Sequence, residues 1–198
     1  MKNALKVVSL AAVAALLLTS CAKQPAQQMD AAKAAIQGVV DAKGETYAPD
    51  ELANLKTEYQ QAIDEVNAQS KKFFKKYGKA KEELAKVVAD ADAVKALIPA
   101  RVEEAKNQAV AAQTDAQTAY DNATALLEKA PKGKGTRADI AAYKADLSGL
   151  ETQLTEVQDA IASEDYMAAK DKAMAIKDKA NGIAQEIEAA IAKVRGRR

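Results

Sequence analysis

Apolar residues recurring at steps of three and four, with no period-two alternation beside them, confine this chain to packed helices. From Ile140 the run Tyr143, Leu147, Leu150, Leu154, Val157 and Ile161 keeps that rhythm without a fault. It is the seam of a coiled-coil-like helix, whose apolar stripe must be buried against a neighbour. A second run follows with smaller residues: Tyr166, Ala169, Ala173, Ile176, Ala180, Ile183, Ile187, Ala190 and Val194. A large-residue seam facing a small-residue seam lets two helices approach closely. Between them ASEDY reads as a turn, with Ser163 placed to cap the second helix and Glu164 and Asp165 suited to its N-terminal dipole. Residues 138–198 therefore read as an antiparallel helical hairpin.

The same hairpin is written once before. An offset of 88 residues places Leu52, Leu55, Tyr59, Ala62 and Val66 on Ile140, Tyr143, Leu147, Leu150 and Leu154. An offset of 89 then aligns Tyr77, Ala80, Leu84, Val87, Ala91, Val94 and Ile98 with Tyr166 through Ile187, so the second copy has one more residue at its turn. Between the copies Val102, Ala105, Ala109, Ala112, Ala116, Ala119, Ala123, Leu126 and Ala130 continue the seam. Pro99 stands at its entrance, where a missing amide donor predicts a kink or a short break. Thr136 and Asp139 give the helix after the glycine loop a capping-box-like start. Earlier, MDAAKAAIQGVVDAK reads as a short helix stopped at Gly44, and Pro49 with Asp50 and Glu51 opens the first long helix. The expected fold is all-α: elongated antiparallel helical hairpins in a coiled-coil-like bundle with an internal duplication. Its expected organisation is a signal segment at 1–20, a tether at 21–28, a short helix at 29–44, the first hairpin at 45–98, a central alanine-rich helix at 99–130, a loop at 131–137 and the second hairpin at 138–198.

The first twenty residues obey another logic. Lys2 and Lys6 precede an apolar stretch from Val7 to Leu18, then the small residues Thr19 and Ser20, then the sole cysteine, Cys21. That is the layout of an export signal, too short to span a bilayer comfortably. The stretch Leu18, Thr19, Ser20, Cys21 resembles a bacterial lipobox. The resemblance implies that Cys21 takes a diacylglycerol thioether, that the signal is cut before it, and that the new amino group is acylated, with palmitate-type chains anchoring the protein. Ala22 after the cysteine resembles the sorting pattern of lipoproteins sent to the outer membrane, where the body would face the periplasm. The helix start YAPDEL, Tyr47 to Leu52, and the later Asp165, Tyr166 and Ala169 are similar to motifs of alanine-rich helical bacterial lipoproteins that carry a domain of unknown function. That likeness covers most of the chain after Cys21 and implies no catalytic residue. The ending VRGRR differs from the terminal lysine of peptidoglycan-linked lipoproteins and argues against covalent attachment to the wall.

Composition narrows the chemistry. Removing residues 1–20 takes two lysines and no acid, leaving 29 − 2 = 27 basic against 28 acidic groups, so no basic excess points to nucleic acid. Histidine is absent, which removes the commonest general base and transition-metal ligand. Aromatics are 4% and there is no tryptophan, so alanine must do much of the packing. Paired carboxylates at Asp90 and Asp92, Glu103 and Glu104, and Glu164 and Asp165 read as solvated helix surface or caps, since neighbouring helical positions point to different sides. The glycines of KGKG lack the strand and the Lys-Ser/Thr of a phosphate loop. No cofactor, metal or catalytic residue is expected.

The most unusual stretch is SKKFFKKYGKAK at 70–81. Lys71, Lys72, Lys75, Lys76, Lys79 and Lys81 are interleaved with Phe73, Phe74 and Tyr77, and of the aromatics Phe73 and Tyr77 fall on the extrapolated seam. One reading is a charged helix tip whose aromatics seal the end of the bundle. The other is a binding patch for anionic envelope material, lipid headgroups or acidic polymers, kept alive by Phe74 lying off the seam. The functional expectation is a non-catalytic, lipid-anchored scaffold, spacer or adaptor of the outer membrane, with a membrane partner through its anchor, an envelope protein or a second copy as further partners, and no nucleic acid. The alternatives are a binding module acting through the lysine tip and an envelope hydrolase, the latter disfavoured by the missing histidine.

Overall fold

The computed structural model describes residues 23–130 and 137–195. The signal segment, Cys21 and Thr136 lie outside the described residues, which form helices and no strand: α1 (Ala26–Asp41), α2 (Gly44–Tyr47), α3 (Pro49–Ser70), α4 (Gly78–Lys129), α5 (Arg137–Ala162) and α6 (Tyr166–Arg195). The fold is all-α. It divides between Pro99 and Ala100 into two units, each packed on its own core.

In the first unit α1 descends, α2 and a turn reverse the chain, α3 rises, and the first part of α4 descends again. The ion pairs Glu58–Lys86 and Glu65–Lys79 fix α3 and α4 as antiparallel, because the residue number rises on one helix as it falls on the other. The Lys86 ammonium sits 2.8 Å from Glu58 and 2.6 Å from Asp90. Hydrogen bonds to Asp90 and then to Glu58 hold its proton, and its pKa is pushed up to about 12. A raised lysine pKa means that this contribution is complete below the usual value of 10.5 and is lost as pH rises through about 12. Met29, near the start of α1, packs against Val66, Tyr77 and Ala80. Gly38, near its end, lies close to the Lys95 ammonium. So α1 runs parallel to α4, and its first turn stands at the end of the unit where α3 gives way to α4.

The second unit repeats that order with the rest of α4, α5 and α6. Lys170 bonds Gln108 and Lys177 bonds Asp115, each pair 62 residues apart, which makes α4 and α6 parallel. Lys172 meets Glu156 at 2.6 Å across the antiparallel α5–α6 pair. Further along that pair Tyr143 donates a hydrogen bond to the Glu186 carboxylate, and its pKa is raised by burial first and then by that negative charge. Each unit is thus one helix added to one hairpin.

The predicted seams are the buried stripes. All seven positions from Tyr77 to Ile98 are buried, as are Leu147, Leu150, Leu154 and Val157, and Tyr166 through Ala180 on α6. Two positions slip by one residue: Leu127 rather than Leu126, and Ala184 rather than Ile183, is the buried member. The predicted positions that follow, Ala130 and Ile187, are buried again, so the seam keeps its course and the neighbouring residue takes the inner place for one turn only.

Four local expectations are corrected. Helix α1 begins at Ala26, with Pro25 buried before it, so three residues of the stretch read as a tether are helical. Helix α4 continues through Pro99, so the short break allowed for there does not form. The short helix is not stopped at Gly44: α1 ends at Asp41, Lys43 takes the left-handed conformation at φ 67°, and Gly44 starts α2. Glycine is needed there for space, because a Cβ would lie 2.5 Å from a Val39 methyl and 2.6 Å from the Val39 carbonyl oxygen. Ser163 caps the helix before it, its hydroxyl donating to the Ala160 carbonyl, while the Asp165 carboxylate accepts from the Ala168 amide and caps α6.

Two substitutions test this packing. Leu84 is fully buried, so Leu84→Ala should cost about 2–5 kcal/mol of stability in urea denaturation. Gly44→Ala should cost about 1–3 kcal/mol, because the backbone of α1 must shift to admit one methyl group.

Candidate functional site

Seven residues, 71–77, join α3 to α4, whereas three, 163–165, join α5 to α6, so the second copy's extra residue does not lengthen its turn as expected but lies within the longer helix α5. The seams around the two turns match, yet α3 stops where α5 goes on. The physical reason lies in the lysines. Continued as helix, the chain would set Lys71 against Lys75 and Lys72 against Lys76 at i,i+4, and like charges at that spacing destabilise a helix. The Ser70 hydroxyl also donates to the Asn67 carbonyl at 2.7 Å, and the Lys72 amide closes a turn onto the Gln69 carbonyl at 3.1 Å.

Gln69 holds the base of the loop. Its side chain is buried, its amide nitrogen donates to Glu65 Oε1 at 2.8 Å, and its amide oxygen accepts from the Lys76 backbone N–H at 3.3 Å. One buried amide therefore ties both ends of the loop together. Below it Tyr77, only 6% exposed, packs with Val66 and Ala80 and seals the core.

What stands above that seal is exposed. Phe73 is 93% and Phe74 76% exposed, and the two rings meet edge to face with centroids 5.0 Å apart. Phe73 therefore does not lie on the seam, and the aromatics of the loop do not close the bundle; Tyr77 alone does. Lys71, Lys72, Lys75 and Lys76 surround the phenyl pair, all exposed and with no ion-pair partner among the described residues. Lys79 is turned back to Glu83 at 3.4 Å and Glu65 at 3.9 Å, so of the lysine tip it belongs to the bundle wall. Lys81, one turn into α4, is exposed. The structure thus gathers Lys71, Lys72, Lys75, Lys76 and Phe74 into one loop, adds Phe73, and separates Lys79 from it.

The other candidates resolve into surface chemistry. Asp90 is taken by Lys86, Glu103 stands 4.0 Å from Lys106, and Glu104 accepts from the Gln108 amide. Glu164 sits in the left-handed region at φ 61° in the α5–α6 turn. Among the described residues no three carboxylate, cysteine or histidine side chains gather as a metal site. No helix among them is long and apolar enough to cross a membrane. A cavity of about 940 Å³ opens between the end of α4 and the start of α5, lined by Tyr120, Thr124, Leu127, Ile140, Lys144 and Leu147 among others. Residues 131–136, between these helices in the sequence, lie outside the described residues.

Two features escape a reading of the sequence alone. Gln69 occupies a seam position three residues after Val66, and a polar side chain on an apolar stripe is the available signal of its clamping role. Phe73 is misplaced by the extrapolated rhythm because α3 ends before reaching it. No family model, curated protein or solved structure matches the chain.

The exposure of the phenyl rings makes a direct prediction. Phe73→Ala and Phe74→Ala should each change stability in urea denaturation by no more than about 0.5 kcal/mol, the expectation for surface substitutions. Tyr77→Ala should lower stability by about 3–5 kcal/mol as a buried aromatic is lost.

Proposed function

We propose that this protein is a non-catalytic, lipid-anchored helical adaptor of the bacterial outer membrane, its body in the periplasm and its contact element the 71–77 loop. The observation that carries this reading is the concentration of exposed chemistry in one place. Two large apolar rings and four unpaired lysines share a single turn, while the helix faces beside it carry short-range charge pairs that satisfy one another. An adaptor needs a stiff body and a local contact, and a seamed helical unit with a clamped loop supplies both.

Anchoring rests on the lipobox-like Leu18 to Cys21. Each buried methylene contributes roughly 0.8 kcal/mol, so several acyl chains on Cys21 would hold the protein durably, where one chain would not. The start of α1 at Ala26 supports a short connection between that cysteine and the body.

A second reading, a binding module for anionic lipid or acidic polymer, is favoured by the same loop. Fully removing a phenylalanine side chain from water stabilises by roughly 1.5–3 kcal/mol, a gain that the folded chain leaves unused at both Phe73 and Phe74. The two readings share the anchor and differ in what the loop meets.

Mass spectrometry of the mature protein tests the anchor: the first residue should be an acylated Cys21, and Cys21→Ser should abolish acylation. A mature form that retains residues before Cys21, or a Cys21→Ser protein that is still acylated, removes the reading. Crosslinking from Lys71 and Lys76 in cells should then recover defined envelope components, and recovery of none would leave a plain spacer.

A further inference from the structure

We infer that the 71–77 loop is a second membrane contact, seated on the anionic headgroups of the same bilayer that holds Cys21, and that it sets the orientation of the first unit on that surface. The inference rests on the lipid-anchor reading and adds to it the partner of the loop and the side of the unit that faces it.

The geometry begins with Met29. Its contacts with Val66, Tyr77 and Ala80 place the first turn of α1 beside the last turn of α3 and the first of α4. Ala26 lies three residues earlier, about 4.5 Å nearer the loop at 1.5 Å per residue. The chain toward Cys21 therefore leaves the unit at the loop end. From Cys21 to Pro25 is four residues, which reach at most about 14 Å when extended. Acyl chains on Cys21 would hold the bilayer surface within that distance of the end of the unit on which Phe73 and Phe74 stand exposed. The opposite end, with α2 and Lys95, is a helix length away.

Charge and shape select lipid rather than a polymer. Four lysines with no partner among the described residues match an anionic headgroup layer, and so would an acidic polysaccharide. The phenyl pair does not fit a polymer of that kind. Two adjacent rings at 93% and 76% exposure, touching chiefly each other, gain from hydrocarbon and not from a hydrated polyanion. The Gln69 clamp keeps the loop base closed, so the rings project without opening the core. A bilayer already within reach makes the contact intramolecular in effect, and a patch too weak to recruit a free protein suffices to orient a tethered one.

The matching turn provides an internal reference. Residues 163–165 are Ser-Glu-Asp, three residues long and acidic, and Met167 beside them is 40% exposed.

The chain contains no tryptophan, so Phe74→Trp introduces a single indole reporter in the loop. The acylated full protein is placed in vesicles of phosphatidylglycerol and phosphatidylcholine, or of phosphatidylcholine alone. In the anionic vesicles the emission of the Phe74→Trp protein should shift to the blue and be quenched by a spin label carried near the headgroups, whereas the Met167→Trp protein should emit as in water. Trypsin should cut at Lys71–Lys76 at least about tenfold more slowly on anionic than on neutral vesicles, the factor expected from partial burial of two phenylalanines. Phe73→Ser with Phe74→Ser should abolish that protection without changing the thermal midpoint. Replacing the four lysines by glutamine in the Phe74→Trp protein should lower loop docking, read from the indole emission, by about two to three orders of magnitude at low salt. A Phe74→Trp protein firmly retained by its acyl chains whose emission stays water-like overturns the inference and leaves the anchor standing. Protection conferred by soluble polyphosphate but not by anionic vesicles overturns it in favour of a polymer. A protein retained by neither vesicle, with an unmodified Cys21, removes the anchor reading itself.

Discussion

The close approach of helices across alanine decides most of what this chain can be. Ala80 and Ala91 on α4, and Ala169, Ala173 and Ala180 on α6, are at most 1% exposed. Small side chains bring helix axes to the short end of the 8–10 Å range, and each alanine buries little apolar area. Stability in such units comes from the number of turns in contact, not from a deep core. The larger residues Leu84, Val87, Ile176 and Ile187 are spaced along the seam, each filling one layer. Where the seam weakens, as at the half-buried Ile140, the helices leave the open cavity beside α4.

A body built this way has little interior in which to place a site. Its polar contacts serve register: Glu58 with Lys86 in the first unit and Asp115 with Lys177 in the second each tie a helix to its neighbour at one level. Exposed pairs of this sort contribute little to stability. They do discriminate between alignments of alanine-rich helices that would otherwise pack almost equally well one heptad apart. Chemistry that faces a partner is left to the turns.

That division explains what is legible in the sequence. The seams are, because burial of a helix stripe is a periodic demand that the sequence must meet everywhere; Tyr77 to Ile98 need no adjustment at all. The slips at Leu127 and Ala184 exchange a step of three for a step of four within one heptad, and the stripe is back on its predicted positions at Ala130 and Ile187. The lysine tip is legible too, since six lysines in twelve residues carry their charge whatever their conformation. The place of Phe73 is not. It depends on where α3 ends, and that end is set by like-charge repulsion and a buried glutamine rather than by the apolar pattern. Tyr77 keeps its place because α4 starts afresh after the loop. The caps are misread for a similar reason: Ser163 and Asp165 are both competent caps, and only the turn geometry decides which helix each one serves.

The two hairpins carry the final step. Their seams align in sequence, and their turns face the same mechanical problem of reversing one antiparallel helix into the next. The α5–α6 turn solves it with three residues, a left-handed Glu164 and a capping Asp165, and leaves no large apolar side chain bare apart from the half-exposed Met167. The α3–α4 turn uses seven, gives up a turn of helix that the other copy keeps, and adds a buried amide to hold its base shut. Closing the hairpin requires none of this. Two bare phenylalanines are also a liability in water, because exposed apolar patches promote unwanted association. Four lysines around them oppose that association by mutual repulsion between copies, while leaving the patch open to a surface of opposite charge. A loop that repels its own kind and is apolar at its centre suits a negatively charged, hydrocarbon-backed surface, and under the proposed anchor the bilayer that an acylated Cys21 would enter has that description.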